Sequence, residues 1–168
     1  MLTQKAKYAL IAVLNLARKP GDAPTRIAVL AKEENIPRKF LEAILLELKK
    51  QGFLQSKKGK GGGYWLNKPP DEISMGGIIR AIDGPLAPVP CVSQSAYQKC
   101  ADCRDEKTCG IRITMKEVRD AIAEVLDNTT IADVLRRVEE AEQTQNVELA
   151  EKSSEGETAP VNFPSHPY

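Results

Sequence analysis

Three patterns follow one another within residues 26–66, RIAVLAKEENIPRKFLEAILLELKKQGFLQSKKGKGGGYWL: a short helical periodicity, a longer one, and a hairpin with a basic, glycine-rich tip. The triplet Asn35-Ile36-Pro37 separates the two helical patterns and predicts a tight turn. Two helices joined by so short a turn must pack against each other. This stretch decides the fold, because the rest of the chain has to cover the apolar faces that it presents.

The two helices differ in length and in apolar content. The first is predicted over about residues 26–33, with Ile27, Leu30 and Ala31 on one face. The second opens with Pro37 near its first position and ends before Gly52, where a left-handed residue is expected. Its predicted inward side chains are Phe40, Leu41, Ile44, Leu45 and Leu48.

The hairpin follows directly. Phe53 and Leu54 begin a short strand, and the returning strand is predicted at Tyr64-Trp65-Leu66. A phosphate-binding loop would be the competing use of the glycines between them. That use fails because no Gly-Lys-Ser/Thr follows and the loop leads into a strand rather than a helix.

Helix, turn, helix and hairpin in this order predict a winged helix-turn-helix, mostly α with a small β-hairpin wing. The second helix would enter the major groove of DNA with its N-terminal residues forward, and Glu42 can accept a hydrogen bond from a cytosine amino group. Lysines on the wing would bind phosphates without reading sequence. The predicted DNA-binding residues are Arg26, Arg38, Lys39, Glu42, Ser56, Lys57, Lys58 and Lys60.

The charge distribution agrees with a nucleic-acid partner. The net charge of the chain is only +1, but residues 1–70 carry +9 and residues 71–168 carry −8. A basic half of this kind is suited to a polyanion. Lys5 and Lys7 interrupt the first apolar segment, and no apolar run reaches the roughly 18 residues of a membrane span, so a cytoplasmic protein without membrane contact is expected.

Three further helices are predicted around this unit. Thr3 can cap a helix over 3–18, and Ser74 can cap one over 75–82 that Gly84 and Pro85 end. A longer helix over 110–127 has apolar residues spaced 4, 3, 4 and 3 apart, a narrow stripe typical of paired helices. The stripe is the predicted dimer interface: Ile111, Met115, Val118, Ile122 and Val125.

The chain is therefore expected to have four parts. Residues 1–84 form the winged-helix domain, and 85–109 form a cysteine-rich loop. Residues 110–142 hold the dimerisation helix and a last helix that Thr130 and Asp133 cap. Residues 143–168 lack hydrophobic periodicity and are predicted to be disordered.

All four cysteines fall within residues 91–109, with the spacing C-x8-C-x2-C-x5-C. In a cytosolic protein, clustered thiols more often bind metal or sense redox state than form disulfides. Cys100 and Cys103 are spaced to chelate one ion, as in many zinc and iron–sulfur sites. Four thiolates suit either a zinc ion or a 2Fe–2S cluster, and the spacing alone does not choose between them.

Over about residues 3–142, the sequence resembles the Rrf-two family of bacterial regulators. The resemblance rests on the Ile27-Ala28 pair, on Phe40-Leu41-Glu42, and on the wing motif from Gly59 to Tyr64; Ile73 and the segment Ala81 to Gly84 follow it. It implies a homodimeric winged-helix transcription factor in which helix 110–127 pairs the subunits.

The resemblance also bears on the cysteines. Family members that bind a cluster use three cysteines, the last two five residues apart, and Cys91, Cys103 and Cys109 match them. This favours a 2Fe–2S cluster, with zinc as the alternative. The fourth ligand of the family is a histidine or an acidic residue, at places where this chain has Arg112 and Lys7. We infer that Cys100 supplies the fourth ligand instead.

The sequence thus predicts a dimeric DNA-binding regulator whose affinity for DNA is controlled by an iron–sulfur cluster or by thiol redox state. One alternative is a zinc-stapled regulator that responds to a partner or metabolite. Another is an iron–sulfur protein that transfers electrons or clusters. An enzyme is not predicted, because the only histidine, His166, lies in the tail and no nucleophile–base pair is evident.

Overall fold

Helix α1 begins directly after the residue that caps it. The computed structural model describes residues 2–19 and 23–155, with side chains described through residue 147. Within it, α1 spans Gln4–Ala17, and the Thr3 hydroxyl accepts a hydrogen bond from the Ala6 amide at 3.1 Å. The predicted cap at Thr3 is confirmed, since a threonine oxygen satisfies an amide that has no partner inside the helix.

The helix-turn-helix is present within a residue of its predicted bounds. Helix α2 spans Ile27–Glu33 and α3 spans Arg38–Lys50. In the turn between them, Asn35 has a φ of 51°, a left-handed conformation that asparagine tolerates better than most residues. Ile36 is buried beside it and fixes the turn to the core.

The inward face of α3 is as predicted at four of its five positions. Leu41, Ile44, Leu45 and Leu48 are completely buried. The prediction for Phe40 is wrong: its side chain is 39% exposed, and its ring lies edge-on against Tyr8 of α1 with centroids 5.8 Å apart. At 100° per residue, Phe40 lies at the rim of the buried stripe, where only one side of the ring is covered.

The wing is a two-stranded antiparallel hairpin. Gly52 ends α3 with a φ of 79°, in the left-handed region expected there. Strand β1 spans Leu54–Lys57 and β2 spans Gly63–Leu66. Leu54 pairs with Leu66 and Lys57 with Gly63, which places the glycine-rich tip between the strands. The mostly helical fold with a β-hairpin wing is thus confirmed.

Three more helices follow the wing, after a 3-10 turn at Pro70–Glu72. Helix α4 spans Met75–Asp83 and is capped by the Ser74 hydroxyl, which accepts from the Gly77 amide at 3.1 Å. A second 3-10 turn, Pro90–Val92, precedes α5, which spans Gly110–Asp127. Helix α6 spans Ile131–Glu155. Thr130 and Asp133 cap it reciprocally: each backbone amide donates to the other's side chain at 3.1 Å.

Helix α6 extends beyond its predicted end at residue 142. The expected disorder of 143–168 is not what the structure shows for residues 143–155, which are helical, and residues 156–168 lie outside the described ranges. Residues 143–155 lack an apolar stripe, but they contain no Gly or Pro and include three Glu and two Gln, which favour helix. None of the described helices is long and apolar enough to cross a membrane.

The core lies between α1, α3 and α4. Aliphatic side chains from these helices interdigitate with single residues from the neighbouring elements, among them Leu30, Leu54, Ile73 and Ile131. Each fully buried side chain of this size contributes about 1.5–3 kcal/mol relative to exposure. The described residues divide into two structural units, of which the first ends at Leu135 and the second begins at Arg136. Within the second, Arg136 and Glu140 form an i,i+4 ion pair at 3.9 Å.

Helix α5 contains no fully buried residue. Its half-buried side chains lie on one face, at Arg112, Met115, Arg119, Ala123 and Leu126. Beside that face runs the predicted stripe. Ile111, Val118, Ile122 and Val125 are 68%, 37%, 39% and 64% exposed, and Met115 lies on the border of both faces. The single chain therefore leaves most of this apolar stripe facing solvent.

The C-terminal end of α5 is fastened to α4 by a bidentate ion pair. Arg80 Nη1 lies 2.5 Å from Asp127 Oδ1, and Arg80 Nη2 lies 2.9 Å from Asp127 Oδ2. The hydrogen bonds from Arg80 lower the pKa of the Asp127 carboxyl. Gly76 leaves the space for this carboxylate, because a Cβ at that position would overlap Asp127 Oδ1.

We expect Arg80→Gln to lower the stability of the protein at neutral pH by up to about 1 kcal/mol, because the pair is partly exposed, which is about 2–4 °C in Tm. The pKa of Asp127 is lower in the folded chain than in the unfolded one. The contribution of the pair is therefore present above the ordinary Asp pKa and is lost as pH falls through the lowered value. Thermal unfolding at pH 7 and at progressively lower pH should show the gap from wild type closing. Lys68→Gln, an exposed cation on the turn after β2, serves as the control; a gap that persists at low pH would contradict the assignment.

Candidate nucleic-acid interface and cysteine segment

The wing is attached to the start of α2 by backbone hydrogen bonds. The Thr25 amide donates to the Tyr64 carbonyl, and the Tyr64 amide donates to the Thr25 carbonyl, both at 2.9 Å. Thr25 and Tyr64 thus form an isolated antiparallel bridge on the outer edge of β2. A Cβ at residue 63 would overlap the Thr25 carbonyl, so glycine is required for this approach. The sequence indicates only a glycine-rich hairpin tip here and gives no sign of this contact.

The attachment creates a basic cleft between the wing and the two helix starts. Arg26, Arg38, Lys57 and Lys60 line it together with the wing glycines and Tyr64, around a volume of about 690 Å³. All four cationic side chains are exposed, and no acidic residue is among the described residues that line the cleft. A concave surface of this charge is suited to a phosphate backbone, whose bound counterions it can replace.

The exposed N-terminal part of α3 adjoins this cleft. Lys39 and Glu42 are exposed, as predicted, and face away from the buried leucines. Arg38 Nε lies 3.2 Å from Glu42 Oε1, an i,i+4 ion pair on the helix surface. Arg38 therefore belongs both to the cleft and to the outward face of α3.

Two of the predicted DNA-binding residues lie neither in the cleft nor on the adjoining face of α3. The Ser56 hydroxyl of β1 accepts a hydrogen bond from Lys49 Nζ of α3 at 2.8 Å, which ties the wing to the helix. Lys58 follows β1 and is exposed, but it does not line the cleft. The structure thus brings four of the eight predicted residues into one cleft and two onto the adjoining helix face.

The cysteine segment, residues 85–109, is anchored at one end by a buried turn. Val92 is 3% exposed, and Arg119 Nη1 of α5 donates to the Val92 carbonyl at 2.5 Å. The Arg119 side chain is only 12% exposed and also pairs with Asp120. Cys91, next to Val92, is therefore held against the middle of α5.

The other end of the segment is fixed at the N-terminus of α5. Cys109 is the N-cap residue of this helix, and its carbonyl accepts from the Ile113 amide at 3.0 Å. Cys109 and Cys100 both lie close enough to Cys103 to affect it electrostatically. Desolvation, followed by the charges of Cys109, Cys100 and Glu106, raises the pKa of the Cys103 thiol. A cation among these groups would oppose that shift.

Between the anchors, residues 94–102 are exposed. The Tyr97 hydroxyl donates to Glu106 Oε1 across this part of the segment. That hydrogen bond is the main cause of the raised pKa of Tyr97, and the nearby Arg112 acts in the opposite direction. Neither the Tyr97–Glu106 hydrogen bond nor the influence of Arg112 on Tyr97 is apparent from the sequence, because a loop without periodicity gives no signal for residues that are distant along the chain.

The four thiols are free, and they fit a metal by chemistry but not by arrangement. Within the described ranges, no three His, Cys, Asp or Glu side chains are placed to hold one metal ion. Cys91 sits on the anchored turn, whereas Cys109 caps the start of α5 and Cys103 lies near it. A site that used all four predicted ligands, Cys91, Cys100, Cys103 and Cys109, would need the exposed part of the segment to move.

Comparison with known proteins agrees with this architecture. The Rrf2 family model, described as an iron-dependent transcriptional regulator, matches residues 2–137. An rrf2-like HTH-type transcriptional regulator from Rhodobacter capsulatus is 45% identical over 138 residues, which cover 80% of this chain and 92% of the relative.

Two solved structures are similar in both fold and sequence. CymR, the global cysteine regulator of B. subtilis, superimposes with a TM-score of 0.65 at 34% identity, over 80% of this chain and 95% of CymR. IscR of T. potens superimposes with a TM-score of 0.66 at 28% identity, over 84% of this chain and 90% of IscR.

The family model covers the winged helix, the cysteine segment and α5, and the relatives are transcriptional regulators rather than enzymes. The resemblance found in the sequence motifs is therefore confirmed. The chain belongs to the Rrf2 (Rrf-two) family and is a DNA-binding transcriptional regulator.

Proposed function

We propose that the protein is a homodimeric promoter-binding regulator that contacts DNA with α3 and the wing, and whose affinity for DNA is set by the chemical state of its cysteine segment. The observation that carries the proposal is the double attachment of this segment to α5, at Cys109 and through Val92 to Arg119. A regulator of this kind acts where the promoter DNA is, in accord with the expected cytoplasmic location.

With α3 in the major groove, the outward face of the helix and the basic cleft would each meet a different part of the DNA. Lys39 and Glu42 at the start of the helix would face base edges, as in other helix-turn-helix proteins. The cleft cations Arg26, Lys57 and Lys60 would then follow the adjoining phosphates. Arg38 would exchange its partner Glu42 for a phosphate or a guanine edge, which frees the Glu42 carboxylate to accept from cytosine.

We expect replacement of Lys57, Lys58 and Lys60 by Ala to weaken binding to specific and random duplexes alike. Each lost phosphate contact should flatten the slope of log K against log salt by about 0.9. Because Lys58 does not line the cleft, the single variant Lys58→Ala should change the slope less than Lys57→Ala or Lys60→Ala. Lys116→Ala on α5 is the control, and an unchanged slope in the triple variant would remove the wing from the interface.

The exposed stripe of α5 supports pairing of two chains. Ile111, Val118, Ile122 and Val125 form an apolar strip on α5 beside the face that packs against its own chain, and Ile113, 50% exposed, lies apart from the strip on the opposite, mostly polar side. Leaving four such side chains in water is unfavourable, and pairing with the same stripe of a second chain would bury them. A dimer would also present two recognition helices, whose spacing must match half-sites about 34–36 Å apart.

We expect Val118→Glu to convert the protein to monomers, because two like charges would be buried near the dimer axis at a cost of several kcal/mol. Sedimentation velocity over a concentration series measures the change. Glu117→Lys alters the charge of the next residue, which points away from the stripe, and should leave the dimer intact. A Val118→Glu protein that still sediments as a dimer would show that the subunits meet elsewhere.

Control through the cysteines follows from the two points at which the segment is attached to α5. Drawing Cys91 toward Cys103 and Cys109 would link the middle of α5 to its N-terminus through the exposed residues 94–102. Any resulting shift of α5 would change the relation between the two subunits and so the spacing of the recognition helices. The segment is thus the element that a signal can bias between two arrangements.

Two chemical forms of this control are compatible with the thiols. The family description names iron dependence, and four soft thiolates suit a 2Fe–2S cluster, with Cys100 as the fourth ligand. Thiol oxidation by an external oxidant needs no metal, and Cys103 and Cys109 are close enough to affect each other electrostatically. Zinc bound by the same residues would make the segment a structural staple, and the regulator would then respond to a partner or metabolite.

Single serine variants of the four cysteines separate these forms. After anaerobic reconstitution with iron and sulfide, we expect Cys91→Ser, Cys103→Ser and Cys109→Ser to lose the visible cluster spectrum, because a serine oxygen is a poorer ligand for iron. Cys100→Ser should assemble a labile cluster, since water or Asp102 can fill the vacancy. Ser95→Ala in the same segment is the control. A Cys100→Ser protein that matches wild type in spectrum and lifetime would exclude Cys100, and wild-type protein that takes up zinc but no iron would exclude the cluster.

A further inference from the structure

The outward face of α3 carries aliphatic side chains among its charges. Lys39, Glu42, Ala43, Leu46 and Lys50 are all exposed. They recur at i, i+3, i+4, i+7 and i+11, so they form one continuous stripe on the side of the helix opposite the buried leucines. Leu46 is 49% exposed in the middle of this stripe.

Leu46 has no role in the fold that would explain its exposure. The other exposed large apolar residue of α3, Phe40, is covered on one side by Tyr8, whereas Leu46 lies outside the cluster of residues that pack on the core. The next exposed neighbour one turn earlier on the same face is Ala43, which adds a second apolar contact surface. A surface that combines an exposed leucine with Lys39 and Lys50 fits a ligand that is anionic and also presents an apolar group.

DNA offers such a group in the major groove. The C5 methyl of thymine is the apolar feature among the base edges there, and aliphatic side chains recognise it by contact. We propose that Leu46, supported by Ala43, packs against a thymine methyl and makes the protein prefer thymine at one position in each half-site. The inference rests on the placement of α3 in the groove proposed above.

The charges around the patch favour DNA over a protein surface. Lys39 and Lys50 lie on the same stripe, before and after Leu46, and Lys49 at the end of the helix adds a third cation. A polyanion that runs along the helix satisfies these charges while its base edges meet the aliphatic residues. The patch is also continuous with Glu42, which lies one turn from Leu46 on the same stripe.

The contact can be tested by removing the methyl group from the DNA rather than the protein. An operator is first selected from a random duplex pool with the wild-type protein. Each thymine is then replaced singly by deoxyuridine, which keeps base pairing and hydrogen bonding but lacks the C5 methyl. We expect wild-type affinity to fall about fourfold at the thymine that meets Leu46, in keeping with the burial of one methyl group. In Leu46→Ala the ratio of thymine to uracil affinity at that position should approach one.

Val29→Ala is the matched control, because Val29 is a similarly exposed aliphatic residue, 41% exposed, on α2 and outside the cleft. It should keep the wild-type ratio, and both variants should keep the wild-type unfolding temperature. The proposal is overturned if wild type shows no thymine whose methyl matters, or if Leu46→Ala keeps the ratio at every position. A Leu46→Ala protein with an unchanged ratio but weaker self-association would assign Leu46 to a protein interface instead.

Glu42→Ala, measured on the same operators with single base-pair changes, separates this inference from the placement of α3. If α3 enters the groove but does not read thymine, Glu42→Ala changes base preference and Leu46→Ala does not. If α3 does not enter the groove, neither variant changes base preference, and the placement proposed for the helix fails as well.

Discussion

The basic cleft depends on the two backbone hydrogen bonds between Thr25 and Tyr64. A two-stranded hairpin is marginal by itself, and this bridge gives β2 a hydrogen-bonded partner on its second edge. It also places Arg26 across the cleft from Lys57 and Lys60, although these residues are far apart in sequence. The absence of a side chain at Gly63 makes the approach possible. The basic cleft is therefore a product of backbone pairing, and the cations occupy positions that the pairing has already set.

A second constraint governs how the cysteine segment can act. Its exposed middle is free of the core, but both ends are fixed to one helix, at the α5 N-terminus and at Arg119. The same helix is held at its other end by the Arg80–Asp127 pair. Helix α5 thus joins the winged helix, the thiols and the apolar stripe in one rigid element. In the proposed function, chemistry at the thiols acts on DNA binding through this helix, so dimerisation and sensing are coupled.

Local chemistry explains which features could be predicted from the sequence. The caps at Thr3 and Ser74, the turn at Asn35 and the glycine at residue 52 each involve neighbours within a few positions, and all were found where expected. The Thr25–Tyr64 bridge and the Arg119–Val92 contact join distant residues and leave no periodic signal. Phe40 was misplaced because helical periodicity fixes the direction of a side chain but not the width of the covered face. The helix beyond residue 142 was missed because intrinsic propensity, not an apolar stripe, favours it.

The bridge between Thr25 and Tyr64 uses only main-chain atoms, and this has a consequence for divergence within the family. Substituting Arg26, Lys57 or Lys60 leaves both hydrogen bonds in place, so the charges of the cleft can change without loss of the scaffold. Duplicated copies of such a gene can therefore change their surface charge by point substitution on an unchanged backbone frame. The bridge cannot accept proline at residue 25 or 64, which removes a donor, or any side chain at residue 63, and the hairpin itself cannot accept a side chain at residue 62, where a Cβ would overlap the Lys57 carbonyl.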